Sequence, residues 1–225
     1  AASDVYKRQA LRTYDAKRML AYSTFGQIGF ILLGIGWGTP LALIGAIVYS
    51  VNHAFIKSSL LMITGALASR MPNKSAKLID IGGAGRTFPI MGALYLIGGL
   101  SLAGVPPLNG FISKLSIIRG GIDAQSWVLL ILSVAAGLIT LMYIVRTWQH
   151  VFQRAPEDQL HLKPYGDSLV APVLLVGLCI LFGLFAVPVV DVATWEPALN
   201  GKAVRVTHSI NDGSYGSETL MIWDE

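Results

Sequence analysis

The chain has 225 residues, of which 53% are apolar and 13% charged, with a formal net charge of +4 and a mean hydropathy of +0.59. A soluble domain carries roughly 25% charged residues, so the composition excludes an ordinary soluble enzyme and implies an all-α, polytopic transmembrane helix bundle. The positive balance does not indicate nucleic-acid binding, because the basic residues cluster at the ends of apolar segments, which is where membrane topology is written.

The chain opens without an initiator Met, a signal-peptide pattern or a complete first hydrophobic element, and reads as a fragment of a longer protein. Residues 3–9 (SDVYKRQ) resemble a translated sequencing-adapter string, so residues 1–9 are set aside as a non-native leader. A transmembrane domain is expected over 10–190. A peripheral, irregular tail is expected over 191–225, where the apolar runs end.

Five hydrophobic segments follow in chain order, at 18–37, 41–69, 88–118, 126–148 and 168–190. Each approaches or exceeds the roughly 20 residues that cross a hydrocarbon core of about 30 Å. The first carries Ser23, Thr24 and Gln27, with Ser23 and Gln27 on one face. Only the turn Gly38-Thr39-Pro40 separates it from the second.

The second segment holds His53 and Lys57, four residues apart and therefore on one helical face, with Tyr49 one turn earlier. A charge at bilayer depth costs about 2.5–3.5 kcal/mol on insertion scales, so an intramembrane lysine marks a functional site by default. Histidine titrates near neutral pH, and a buried lysine can hold or release its proton as neighbouring charge changes. The alternatives are an interhelical hydrogen bond for His53 and snorkelling for Lys57, which its place near the middle of the segment makes difficult.

The loop 70–87 is polar, basic and glycine-rich. Its run Gly82-Gly83-Ala84-Gly85-Arg86 lacks the Gly-Lys-Ser/Thr ending of a phosphate loop and reads as a flexible connector. The third segment is too long for one straight spanning helix. Val105-Pro106-Pro107 removes two backbone donors, so a break is expected between Gly104 and Asn109, with Gly104, Pro106, Pro107 and Gly110 as its residues. Broken helices at membrane depth are tolerated where the freed backbone is buried in protein or lines a cavity, and they point to ion sites. A simple turn into a short re-entrant helix is the alternative. Lys114 follows the break by about two turns, and no Asp or Glu falls inside any of the five segments to neutralise it. Its counter-charge must come from another helix, another subunit, water or the C-terminal end of a half-helix, whose dipole favours cations.

The fourth segment adds Ser133, Thr140, Tyr143 and Thr147, of a kind more often interhelical glue than transport ligands. In the fifth, the single cysteine, Cys179, reads as a packing residue. His150, His161 and His208 show no metal-ligand spacing, and neither a metal nor a cofactor is expected.

If the N-terminal end faces the cytoplasm, Lys7, Arg8, Arg12, Lys17, Arg18, Arg70, Lys74, Lys77, Arg86, Arg146, Arg154 and Lys163 are inside. Arg119, Lys202 and Arg205 are then outside, which satisfies the positive-inside rule with or without the leader.

Three stretches, DAKRMLAYSTFGQIG at 15–29, NHAFIKSSLL at 52–61 and GLSLAGVPPLNGFISK at 99–114, together resemble the antiporter-like subunits shared by Mrp-type cation/proton antiporters, respiratory complex I and membrane-bound hydrogenases. The context of Lys114 looks most like the D subunit of the Mrp-type assemblies. The resemblance implies a fold of two inverted five-helix repeats, of which this chain would hold the end of the first and most of the second. It implies that Lys57 and His53 belong to a central hydrophilic axis and that Lys114 is the terminal proton-exchange lysine. Lys17 matches a further basic position, and Gln27 stands where some relatives carry His. Tyr49, Ser23 and Tyr143 are expected as supporting polar groups.

The function expected is that of a proton-translocating subunit of a multisubunit sodium/proton antiporter in the plasma (inner) membrane of a prokaryote, a transporter rather than an enzyme. Its partners would be other membrane subunits, lipid, protons and a monovalent cation. The alternatives are the same module in a redox-driven NADH:quinone oxidoreductase or hydrogenase, and a structural subunit that transports nothing.

Overall fold

The computed structural model describes residues 14–154 and 166–185, together with the backbone of two short strands, Glu196–Pro197 and Ala203–Val204. The leader at 1–9 and most of the expected tail lie outside the described residues.

Helix α1 (Ala16–Trp37) starts where the Asp15 carboxylate accepts the Arg18 N–H at 3.0 Å, and it stops at Gly38, whose φ of +67° a side chain would disfavour. Only Thr39 then precedes α2 (Pro40–Ser69). Pro40 occupies the first turn, where its missing N–H costs nothing, and the Thr39 hydroxyl caps the Ala42 N–H. At 30 residues α2 extends about 45 Å.

The third hydrophobic segment is two helices, α3 (Pro89–Ala103) and α4 (Asn109–Asp123), as the proline pair requires. Gly104 ends α3 at φ +86°, and Val105–Leu108 form the break. Gly110, expected within the break, instead lies in the first turn of α4. Its place is decided by proximity, since a Cβ there would stand 1.8 Å from the Ser101 carbonyl oxygen.

Helix α5 (Trp127–Trp148) continues into one π-helical turn, Gln149–Gln153, and α6 (Val170–Leu184) ends the described bundle. Three helical stretches are long and apolar enough to span a membrane: α1, α2, and α5 with its π turn. Of the fifth segment, 186–190 lies outside the described residues. The two short strands pair antiparallel, Glu196 with Val204 and Pro197 with Ala203, in a separate C-terminal unit where only irregular chain was expected.

Helix α2 is the hub, packed against α1, α3, α4 and α6. Small residues allow the closest approaches: a Cβ on Gly45 would stand 2.8 Å from the Ile117 backbone nitrogen, and one on Gly120 would stand 2.5 Å from the Ala42 Cβ. The outside of the bundle is apolar, and a hydrophobic core inside it also holds buried polar groups. Phe25, Ile28, Leu32 and Ile35 of α1 and Val128, Ile131, Leu132, Leu138 and Met142 of α5 are exposed, whereas Gln27, Asn52, Lys57, Asn109 and Lys114 are buried. That distribution suits a bilayer, where exposed apolar side chains have no unfavourable contact with water.

One end of the bundle gathers the basic residues. The Ala16 N–H donates to Ala76 O, Ala84 N–H to Val151 O and Arg70 Nη2 to Asp167 O, so the start of α1, the loop after α2, the π turn and the start of α6 meet there. Lys17, Arg18, Lys74, Lys77, Arg86 and Arg154 lie on these segments. Arg119 is at the opposite end, where Thr39 donates to Gly120 O.

The loop is not the flexible connector its glycines suggested. Met71, Ile81 and Ala84 are buried in the core, and a Cβ on Gly85 would lie 2.0 Å from Phe152 O, so Gly85 serves close packing against the π turn. Cys179 is fully buried, in keeping with a packing role.

Candidate functional site

The buried polar groups form two connected sets, one around Lys57 and one around the helix break. Lys57, 6% exposed, donates from Nζ to the Ser23 hydroxyl of α1, and Ser23 donates in turn to Leu20 O at 2.7 Å. The Tyr143 hydroxyl of α5 is in hydrogen-bonding contact with Ser23, Thr140 and Gln27. One turn beyond Ser23, Gln27 donates from Nε2 to Thr140 Oγ1 at 3.0 Å and to Tyr143 OH at 3.5 Å, while its Oε1 accepts from the Tyr49 hydroxyl. Hydroxyl and amide groups of α1, α2 and α5 therefore make a continuous thread from Lys57 to Tyr49.

Tyr49 connects this thread to Lys114, whose Nζ lies 5.3 Å from the centre of the Tyr49 ring. Lys114, 5% exposed, donates to Leu102 O at 2.7 Å and to Ala103 O at 3.3 Å, the last carbonyls of α3. A half-helix C-terminal end thus supplies acceptors to this lysine, one of the sources open to it from sequence. Two helix carbonyls freed by the break carry partial negative charge where a cation is buried.

His53 shares a face of α2 with Lys57. Its ring centre is 6.1 Å from that of Tyr49, the charges of Lys57 and Lys114 both act on it, and its Nε2 has no hydrogen-bond partner among the described residues. The structure therefore brings Lys57, His53, Lys114, Tyr49, Gln27, Ser23 and Tyr143 together. Lys17 is not brought to this group: it sits exposed in the first turn of α1, at the basic end.

The second set was not anticipated. Asn52 Nδ2 donates to Asn109 O at 3.2 Å and to Ser113 Oγ at 3.4 Å, and Ser101 Oγ donates to Asn109 Oδ1. These bonds tie α2, α3 and α4 around the break. The signal was present in the sequence as lone Asn and Ser residues within apolar runs. Tyr95 of α3 was missed as well; it is buried, and its hydroxyl has no partner among the described residues.

The membrane-domain family described as NADH:quinone oxidoreductase/Mrp antiporter matches residues 7–140. The chain belongs to this family. It is 33% identical over 183 residues to the D subunit of the Na(+)/H(+) antiporter of Alkalihalophilus pseudofirmus, covering 80% of this chain and 36% of that protein. It is 30% identical over 190 residues to the N subunit of the NADH-quinone oxidoreductase of Desulforudis audaxviator, covering 78% of this chain and 38% of that protein.

Among solved structures, the Mrp complex from Dietzia sp. superposes with a TM-score of 0.74 at 21% identity, over 84% of this chain and 43% of its counterpart, a likeness of fold. The membrane-bound sulfane sulfur reductase, an archaeal respiratory membrane complex, gives 0.76 at 27% identity, over 84% and 38%. The chain spans less than half the length of each of these relatives. Family membership agrees with the resemblance carried by the three stretches, and the family match includes all of α1 to α4, on which Lys57, His53 and Lys114 stand.

Proposed function

We propose that this chain is part of a proton-translocating membrane subunit of a multisubunit sodium/proton antiporter in the plasma membrane of a prokaryote, with protons relayed through Lys57, His53 and Lys114. The observation that carries the reading is the buried thread that runs from Lys57 through Ser23, Tyr143 and Gln27 to Tyr49, against whose ring Lys114 rests. Ser23 and Tyr143 are hydroxyls, able to accept a proton on a lone pair while releasing their own. Gln27 is an amide that holds Tyr49 in place and does not itself titrate. His53, adjacent to Tyr49 and acted on by both lysines, is the titrating group that bridges the two halves of the thread. The positive-inside rule puts the basic end in the cytoplasm and Lys114 on the route to the opposite side.

The test is pH-driven cation exchange in vesicles containing the full-length subunit in its complex. Lys57→Ala and Lys114→Ala should each abolish exchange while the complex still assembles. Unchanged exchange in either variant overturns the relay and favours a subunit that only scaffolds its neighbours.

The same module in a redox-driven assembly is the second reading, favoured by the identity to an NADH-quinone oxidoreductase subunit and to a respiratory membrane complex. Co-purification of the intact subunit with iron–sulfur proteins would select it.

A further inference from the structure

Lys114 is enclosed by more than the α3 carbonyls. Its Nζ lies 4.8 Å from the ring centre of Phe30 on α1 and 5.3 Å from that of Tyr49 on α2. The two rings meet edge to face, with centres 6.3 Å apart and planes at 65°, and both residues are buried. Gly104 leaves room for the lysine stem, since a Cβ there would stand 2.8 Å from Lys114 Cδ. The ammonium is therefore surrounded by two carbonyl oxygens at a helix C-terminus and by the electron-rich faces of two aromatic rings. A neutral amine would keep weaker hydrogen bonds to the carbonyls and lose the attraction of a cation to the rings.

We propose that Phe30 is a positioning residue for Lys114: with Tyr49 it forms an aromatic cradle that holds the protonated ammonium at the end of α3 and releases it when the proton leaves. The inference rests on the reading of Lys114 as a proton carrier. Other titratable groups stand on the elements packed around it. Lys57 and His53 of α2 both feel the charge of Lys114, and the neighbouring helices α3, α5 and α6 carry the buried groups Tyr95, Tyr143 and Cys179. Phe30 and Tyr49 present their ring faces to the ammonium. Phe30 is the cleaner probe of the two, because its side chain has no polar atom and takes no part in the Gln27 bond.

The experiment replaces Phe30 in the full-length subunit, within its complex, by mono-, di- and trifluorinated phenylalanine through nonsense suppression. Fluorination weakens the negative ring face while nearly preserving shape. Exchange in vesicles, normalised to assembled complex, should fall stepwise with each fluorine to about a tenth of the starting rate, Phe30→Leu should fall as far, and Phe30→Trp should retain activity. Should Phe30→Leu fail to assemble, the fluorinated series decides. A flat fluorine series alongside an inactive Lys114→Ala variant overturns the cradle and leaves the proton-carrying role of Lys114 standing. Full exchange by Lys114→Ala overturns that role itself.

Discussion

Lys57 sits near the middle of an uninterrupted 30-residue helix and donates to a side chain, Ser23, whereas Lys114 follows a helix break and donates to backbone, the carbonyls of Leu102 and Ala103. The difference follows from helix geometry. Inside α2 the carbonyls are already engaged by the N–H four residues on, and the acceptor of the buried lysine is a hydroxyl on a neighbouring helix. At the end of α3 the last carbonyls lack that partner, and the lysine of the following half-helix completes them. A side-chain acceptor can be deleted by one substitution. A backbone acceptor can only be moved.

Three further substitutions bear on that contrast. Gly110→Ala should have the largest effect, because its Cβ would overlap the Ser101 carbonyl at 1.8 Å, a contact neither backbone can yield without parting α3 from α4. A loss of about 3 kcal/mol is expected, read as a steep fall in assembled subunit in membranes. Normal assembly and exchange would show that the packing of the break does not govern the Lys114 site.

Ser23→Ala should act less severely and only on the Lys57 side. Loss of a buried acceptor costs about 1–3 kcal/mol, so exchange should drop roughly tenfold or more while assembly persists, and Ser23→Thr should restore it. Equal rates for Ser23→Ala and the parent protein would remove Ser23 from the path. Lys17→Ala should matter least, with a stability change within about 0.5 kcal/mol and no change in exchange, since this side chain is exposed. A large loss would return Lys17 to the functional group.

Much of the fold could be read from local features of the chain. The break between α3 and α4 lies where Val105-Pro106-Pro107 requires it, and α1, α2 and α5 begin and end within about two residues of their hydropathy limits. The burial of Lys57 and Lys114 was legible for the same reason, since charge within an apolar run needs no neighbour to be noticed. The loop after α2 was misread because glycine signals either freedom or close approach. The position of Gly85 against Phe152 settles which, and that contact joins residues far apart in sequence.

Hydropathy, proline chemistry and charge asymmetry belong to short stretches, so the chain specified a helical membrane bundle, its broken helix, its basic end and the place of its ionisable residues within apolar runs before any helix packed. The partners of those residues depended on which helix faces came together. Ser23 meets Lys57, Asn52 meets Asn109, and Phe30 meets Lys114 through contacts between separate helices. A hydrogen bond or ring contact reaches only a few ångströms, and in a bundle those few ångströms are set by helix crossing and by the small residues that permit it, not by position along the chain.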